Sequence, residues 1–171
     1  GNEWLEEVMT RFFLIKELKA FCEKQVKNLL YPTAVQKGDA KKVERAPEVY
    51  AMRLPNSREA KKFAPYIIIQ LADSLHVQNE SEQPEYSATI RFIFCVYEEN
   101  ESEGAMRLLN LMDLVQEALL RQVKIGNCYR LDVHKPLDML IYPDDTAPYF
   151  VGEMVGTFNL PATKREVNLE F

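Results

Sequence analysis

One run of unbroken alternation constrains this chain more than any other feature. Ser87-Ala88-Thr89-Ile90-Arg91-Phe92-Ile93-Phe94-Cys95-Val96-Tyr97 puts Ala88, Ile90, Phe92, Phe94 and Val96 on one side and Ser87, Thr89, Arg91, Ile93, Cys95 and Tyr97 on the other. A period of two with an apolar even set predicts a strand whose even face is covered. The acidic stretch Glu98-Glu99-Asn100-Glu101-Ser102-Glu103 comes next, read as a charged loop, and then the period changes. From Gly104 to Gln122, Leu108, Leu111, Met112, Val115 and Leu119 recur at helical spacing. Arg107, Asn110, Asp113, Gln116, Glu117 and Arg121 fill the other side, predicting an amphipathic helix laid on that strand. The expected class is therefore α+β, a mainly antiparallel or mixed sheet carrying helices on one face.

A second helix is predicted over residues 3–30. Leu5, Val8, Phe12, Ile15, Leu18, Cys22, Val26 and Leu29 form its stripe, Phe13, Leu14 and Phe21 widen it, and Asn2 is the expected N-cap. Tyr31-Pro32 is expected to end it. Residues 30–60 read as a flexible loop or flap around a short edge strand at 49–54 bounded by Pro47 and Pro55. Tyr66-Ile67-Ile68-Ile69 predicts a strand buried on both faces. It is joined to the alternating strand through the second acidic loop, which holds Glu80, Glu82 and Glu85, to make a long hairpin. Beyond the Gly126-Asn127 turn, strands are predicted at 128–133, 137–142 and 149–160. On the last, Gly152 and Gly156 share the face of Phe150, Met154 and Phe158 and leave room for close packing. Residues 163–171 read as a charged arm of the single domain 1–171.

Composition narrows the function classes. A net charge of −5 in 171 residues is a poor footprint for nucleic acid, which wants a basic face. The one basic run, 37–45, carries two acids and no aromatic, and reads as a solvated loop. Cys22, Cys95 and Cys128 are odd in number and lack paired spacing, so neither a disulfide framework nor a zinc site is expected, and a reducing cytoplasmic setting fits. No apolar run is long enough to span a bilayer. The N-terminus lacks the basic flank and apolar core of a signal peptide, and Gly1 without a preceding Met reads as the scar of a cleaved tag.

Catalytic and metal chemistry find little to stand on. His76 and His134 are the only histidines; Ser74, His76 and Asp73 are chain neighbours rather than a triad geometry. His76 and His134 with Asp132, Asp144 or Asp145 show no ligand spacing, and no phosphate-cradling glycine motif occurs. No enzyme activity, cofactor or metal is expected. The two acidic clusters, Glu80, Glu82 and Glu85 at one end of the alternating strand and Glu98, Glu99, Glu101 and Glu103 at the other, are the candidate interaction residues. They are placed to repel a polyanion or to dock a basic partner, or are simply solvated.

Several pieces together resemble the tail terminator and tail-completion proteins of long-tailed phages and prophages. These are the N-terminal amphipathic helix, the Pro65-Tyr66-Ile67-Ile68-Ile69-Gln70 strand, and the long strand feeding Tyr97-Glu98-Glu99 and, through Glu103-Gly104-Ala105, a helix. The fourth is the Pro148-Tyr149-Phe150-Val151-Gly152 strand closing in Asn159-Leu160-Pro161. The resemblance covers residues 3–30 and 60–162 and implies a small α+β subunit of a ring, often hexameric, that caps the tail tube. It implies the tail-tube and neck or head-completion proteins as partners, no specific nucleic-acid or membrane binding, assembly in the host cytoplasm and a place in the virion tail. It supplies no catalytic residues. The alternatives are a head-completion or neck connector protein, and a soluble module binding a peptide or small ligand, for which Gly152 and Gly156 are the sequence support. An enzyme of unrecognised type is the more distant rival.

Overall fold

The computed structural model describes residues 10–34, 43–77, 85–143 and 146–161. Among these residues two α-helices, α1 (Arg11–Val26) and α2 (Glu101–Gln122), lie on a seven-stranded mixed sheet. Its strands are β3 (Glu48–Ala51), β4 (Tyr66–Val77), β5 (Glu85–Tyr97), β6 (Lys124–Ile125), β7 (Tyr129–Leu131), β8 (Asp138–Ile141) and β9 (Tyr149–Leu160). The order is β3-β4-β5-β9-β7-β6, and β8 joins β9 alongside β7. Two further short strands, β1 (Tyr31–Pro32) and β2 (Glu44–Arg45), pair with each other. The α+β class, the β4–β5 hairpin and the final long strand agree with the sequence reading.

Alternation in β5 is what makes the core. Ala88, Ile90, Phe92, Phe94 and Val96 are all fully buried under Leu108, Leu111, Met112, Val115 and Leu119 of α2. Leu14, Leu18 and Cys22 of α1 complete that layer. The opposite face is only half covered. Ile68, Cys95 and Tyr97 meet Leu54, Ala64 and Tyr66 in a second, smaller core at one end. Arg91, Thr89 and Ser87 at the other end stay half-buried.

Four local expectations need correction. The helix is capped at Thr10, in extended conformation, whose Oγ1 accepts from the Phe13 N–H at 3.4 Å; it starts at Arg11 rather than residue 3. Asn2 and residues 3–9 lie outside the described residues. Phe12, assigned to the stripe, is 64% exposed, since at 100° per residue it stands round the helix from the Leu14, Leu18 and Phe21 side. The helix ends at Val26, before Tyr31-Pro32, which instead form β1. Third, α2 begins at Glu101, so Gly104 is inside its first turns rather than its first residue. The Phe150 ring explains the glycine: it occupies the space a Cβ would need, 2.0 Å away. Fourth, the 30–60 span holds three short strands, and β3 runs parallel to β4, from Glu48 opposite Tyr66 to Ala51 opposite Ile69. Residues 35–42 of it, like the 163–171 arm, fall outside the described residues.

Candidate interaction surfaces

The acidic run after β5 is a helix start. Asn100 is the N-cap of α2, its side chain accepting from the Ser102 N–H at 3.1 Å. Glu101 and Glu103 occupy the first turn, where the exposed amide ends favour negative charge. Glu98 is not a surface acid. It is 7% exposed, accepts the Asn100 N–H at 3.1 Å and holds the Arg107 Nε at 2.8 Å. Glu99 is exposed and accepts the Tyr97 hydroxyl at 2.9 Å. One partner-facing cluster in the sequence thus separates into a partly buried ion pair, a tyrosine acceptor and two helix-turn acids. The reason is local: a helix that must begin beside a strand end needs a cap and favours early acids.

Of the other acidic cluster, Glu85 opens β5, opposite Val77, while Glu80 and Glu82 lie outside the described residues. At about 3.3 Å per residue the length of β5 separates Glu85 from Glu98 by ~40 Å. That is several screening lengths at physiological salt, so Glu85 and Glu98 do not act as one field.

Arg107 also links helix and strand. Its guanidinium lies 5.9 Å from the Tyr31 ring centroid, and Asn110 Nδ2 donates to the Tyr31 hydroxyl at 3.2 Å. Beside them runs an open groove of about 460 Å³, with Leu30 and Met106 exposed on its rim.

In the β4–β5 ladder the backbone of Asp73 lies opposite Thr89, that of Ser74 opposite Ala88 and that of His76 opposite Tyr86. His134 is exposed in a turn in which Asp132 Oδ1 accepts its backbone N–H at 3.0 Å. Among the described residues no three His, Cys, Asp or Glu side chains converge as a metal site would require. Burial pushes the Cys22 thiol up to about 12, which leaves it a core group rather than a nucleophile. Of the basic run, Arg45 is described and its role is internal: Nη1 donates to the Ala46 and Pro65 carbonyls at 3.0 Å, and Nη2 donates to the Phe63 carbonyl.

The room left by Gly152 and Gly156 is filled from within. A Cβ on Gly152 would stand 2.6 Å from Met112 Sδ and 3.1 Å from the Leu140 carbonyl; one on Gly156 would stand 2.6 Å from Leu137 Cδ1. The close partner the glycines admit is the protein's own helix and β8 region, and the sequence support for a ligand pocket on that face goes with it.

The surface that sequence reasoning missed is the β8 edge. Leu140, Ile141 and Tyr142 are all exposed there, and β8 pairs with β9 alone. Tyr142 donates its hydroxyl to Glu153 at 2.9 Å, a hydrogen bond that pushes the phenol up, and Arg91 Nε stands 3.5 Å from the same carboxylate. The readable signal was Met139-Leu140-Ile141-Tyr142, apolar and uncharged at the edge of a sheet. No family model matches the chain, and no curated protein matches it either.

Proposed function

We propose that this chain is a non-enzymatic structural subunit of a long-tailed phage or prophage particle, acting in the manner of a tail terminator. Copies close into a ring, six in number, that caps the tail tube and presents a surface to the neck. The observation that carries an assembly role is the β8 edge: Leu140, Ile141 and the adjoining Tyr142 are exposed at a strand paired on one side only. Soluble proteins guard such edges with charge, proline or a covering segment, and association with another chain is the alternative solution. The exposed acids of α2, Glu101 and Glu103, together with Glu99, give the subunit a local negative patch. Facing a lumen, such a patch keeps DNA sliding rather than adhering, because like charges repel.

Light scattering tests the assignment, on the chain alone and mixed with tail-tube protein. A ring gives six times the 19.9 kDa chain mass in at least the mixture. A mass that stays below that in both samples overturns the ring.

A further inference from the structure

The outer side of β8 carries a defined pattern of unused backbone groups. Tyr142 N–H donates to the Val151 carbonyl at 3.0 Å, and the ladder pairs Ile141 with Gly152, Leu140 with Glu153, Met139 with Met154 and Asp138 with Val155. In an antiparallel ladder the backbone groups of alternate residues point the same way. Those of Tyr142, Leu140 and Asp138 therefore turn inward to β9, and those of Met139 and Ile141 turn outward. No described residue pairs with the outward groups. In the single chain they face solvent, and an added extended strand is the protein element that pairs them all in register.

We propose that this strand is the β8 of a second copy, running antiparallel with Leu140 opposite Leu140 across a twofold axis. The register follows from the backbone. With Leu140 on the axis, Met139 faces the partner's Ile141 in a hydrogen-bonded pair, and the symmetric pair does the same. All four outward N–H and C=O groups of each strand are then used. Sliding the axis to Ile141 sets Met139 against the partner's Pro143, which has no N–H to give. Sliding it to Asp138 sets two aspartates directly opposite. The Leu140 register opposes only apolar to apolar and Asp138 to Tyr142. It covers Leu140 on one sheet face and Ile141 on the other, both exposed in the single chain. A contact made by one short strand sits at the small end of specific interfaces, so the pair is concentration-dependent. The pairing does not rest on the ring, whose two different faces call for head-to-tail contacts elsewhere on the subunit.

Cysteine cross-linking reads the register in the full chain. At a non-hydrogen-bonded pair the Cα atoms stand about 4.5 Å apart, within disulfide reach. Leu140→Cys is expected to form a covalent dimer under mild oxidant. Asp138→Cys, displaced about four residues from its copy, is expected to remain at the baseline of the wild type, whose Cys22 and Cys95 are buried and Cys128 half-buried. By light scattering the wild-type mass is expected to double with concentration. Leu140→Lys, at an exposed site, and Ile141→Pro, which removes only an outward N–H, are each expected to abolish that doubling while leaving the circular dichroism melt in place. A wild type that stays monomeric at every concentration overturns the pairing. So does an oligomer in which Leu140→Cys cross-links no better than Asp138→Cys. A dimer that never grows to six sustains the pairing and sinks the ring; a ring with no Leu140 cross-link does the reverse.

Discussion

Two of the sheet's edges, β3 and β8, are built from comparable material and finished differently. At one edge, β3 is four residues long, follows Pro47, carries Glu48, and leaves its ladder at Met52, whose φ is +72°. Met52 still donates to the Ile69 carbonyl at 2.8 Å and accepts from Gln70 Nε2 at 2.9 Å, so the strand ends with its bonds in use. The 3₁₀ segment Ser57–Phe63 then folds back, Phe63 meeting Tyr50 edge-on at 6.2 Å, and Arg45 holds the segment's end. At the other edge, β8 is equally short, opens on the exposed Asp138 and is followed by Pro143, but no described element covers Leu140 or Tyr142 between them. The first edge is guarded by a covering segment as well as by charge and proline; the second has charge and proline only at its ends. Asymmetry of this kind marks β8 as the side on which a partner strand fits.

The largest effect is expected at the guard. Arg45→Ala removes one cation from three backbone carbonyls, those of Ala46, Phe63 and Pro65. Hydrogen bonds to a charged group are worth about 1.5–3 kcal/mol and are not additive, so a loss of about 3 kcal/mol is expected in urea unfolding. Amide exchange at β3 and at the facing Ile67 and Ile69 should accelerate more than at β9. Uniform acceleration would mean that Arg45 supports the whole fold and that the guarded edge is not a local device.

A smaller effect is expected where β8 joins the sheet. Gly152→Ala puts a methyl 2.6 Å from Met112 Sδ, which can move, and 3.1 Å from the Leu140 carbonyl, which is held in the ladder. Overpacking of this kind costs about 1–3 kcal/mol. The expected outcome is a lower urea midpoint together with loss of any β8-mediated dimer. An unchanged midpoint would show that β8 is free to shift and so lacks a fixed register.

The smallest effect is on pH. Burial first, and then its hydrogen bond to Glu48, push the Tyr50 phenol up to about 12. A raised pKa means the folded state holds its proton more tightly, so this contribution is complete below about 10, the ordinary tyrosine value, and lost as pH rises through about 12. Melts between pH 9 and 12 should show a steeper alkaline loss for the wild type than for Tyr50→Phe. Parallel curves would place Tyr50 outside the guard.

Much of this architecture was legible because it depends on neighbours in sequence. The even face of β5 and the α2 stripe were assigned from spacing, and every one of those ten side chains is fully buried. The α1 start was misplaced since the apolar period continues upstream of Thr10 while the cap that stops it is a single hydroxyl. Glu98 was grouped with its neighbours because charge in a sequence does not reveal Arg107, nine residues on, as its partner. Gly152 and Gly156 were correctly read as sites of close approach; the approaching atoms belong to Met112 and Leu137, residues that no local pattern connects to them.

By itself the sequence determined the sheet-plus-helix class, because burial on one face imprints a period of two or 3.6 on the residues that form it. Only the tertiary structure decided the parallel placement of β3, the burial of Glu98 and the open side of β8. Each of these is set by which strand or side chain arrives from elsewhere in the chain. An edge is defined by the neighbour it lacks, and a single strand's sequence does not contain its neighbours.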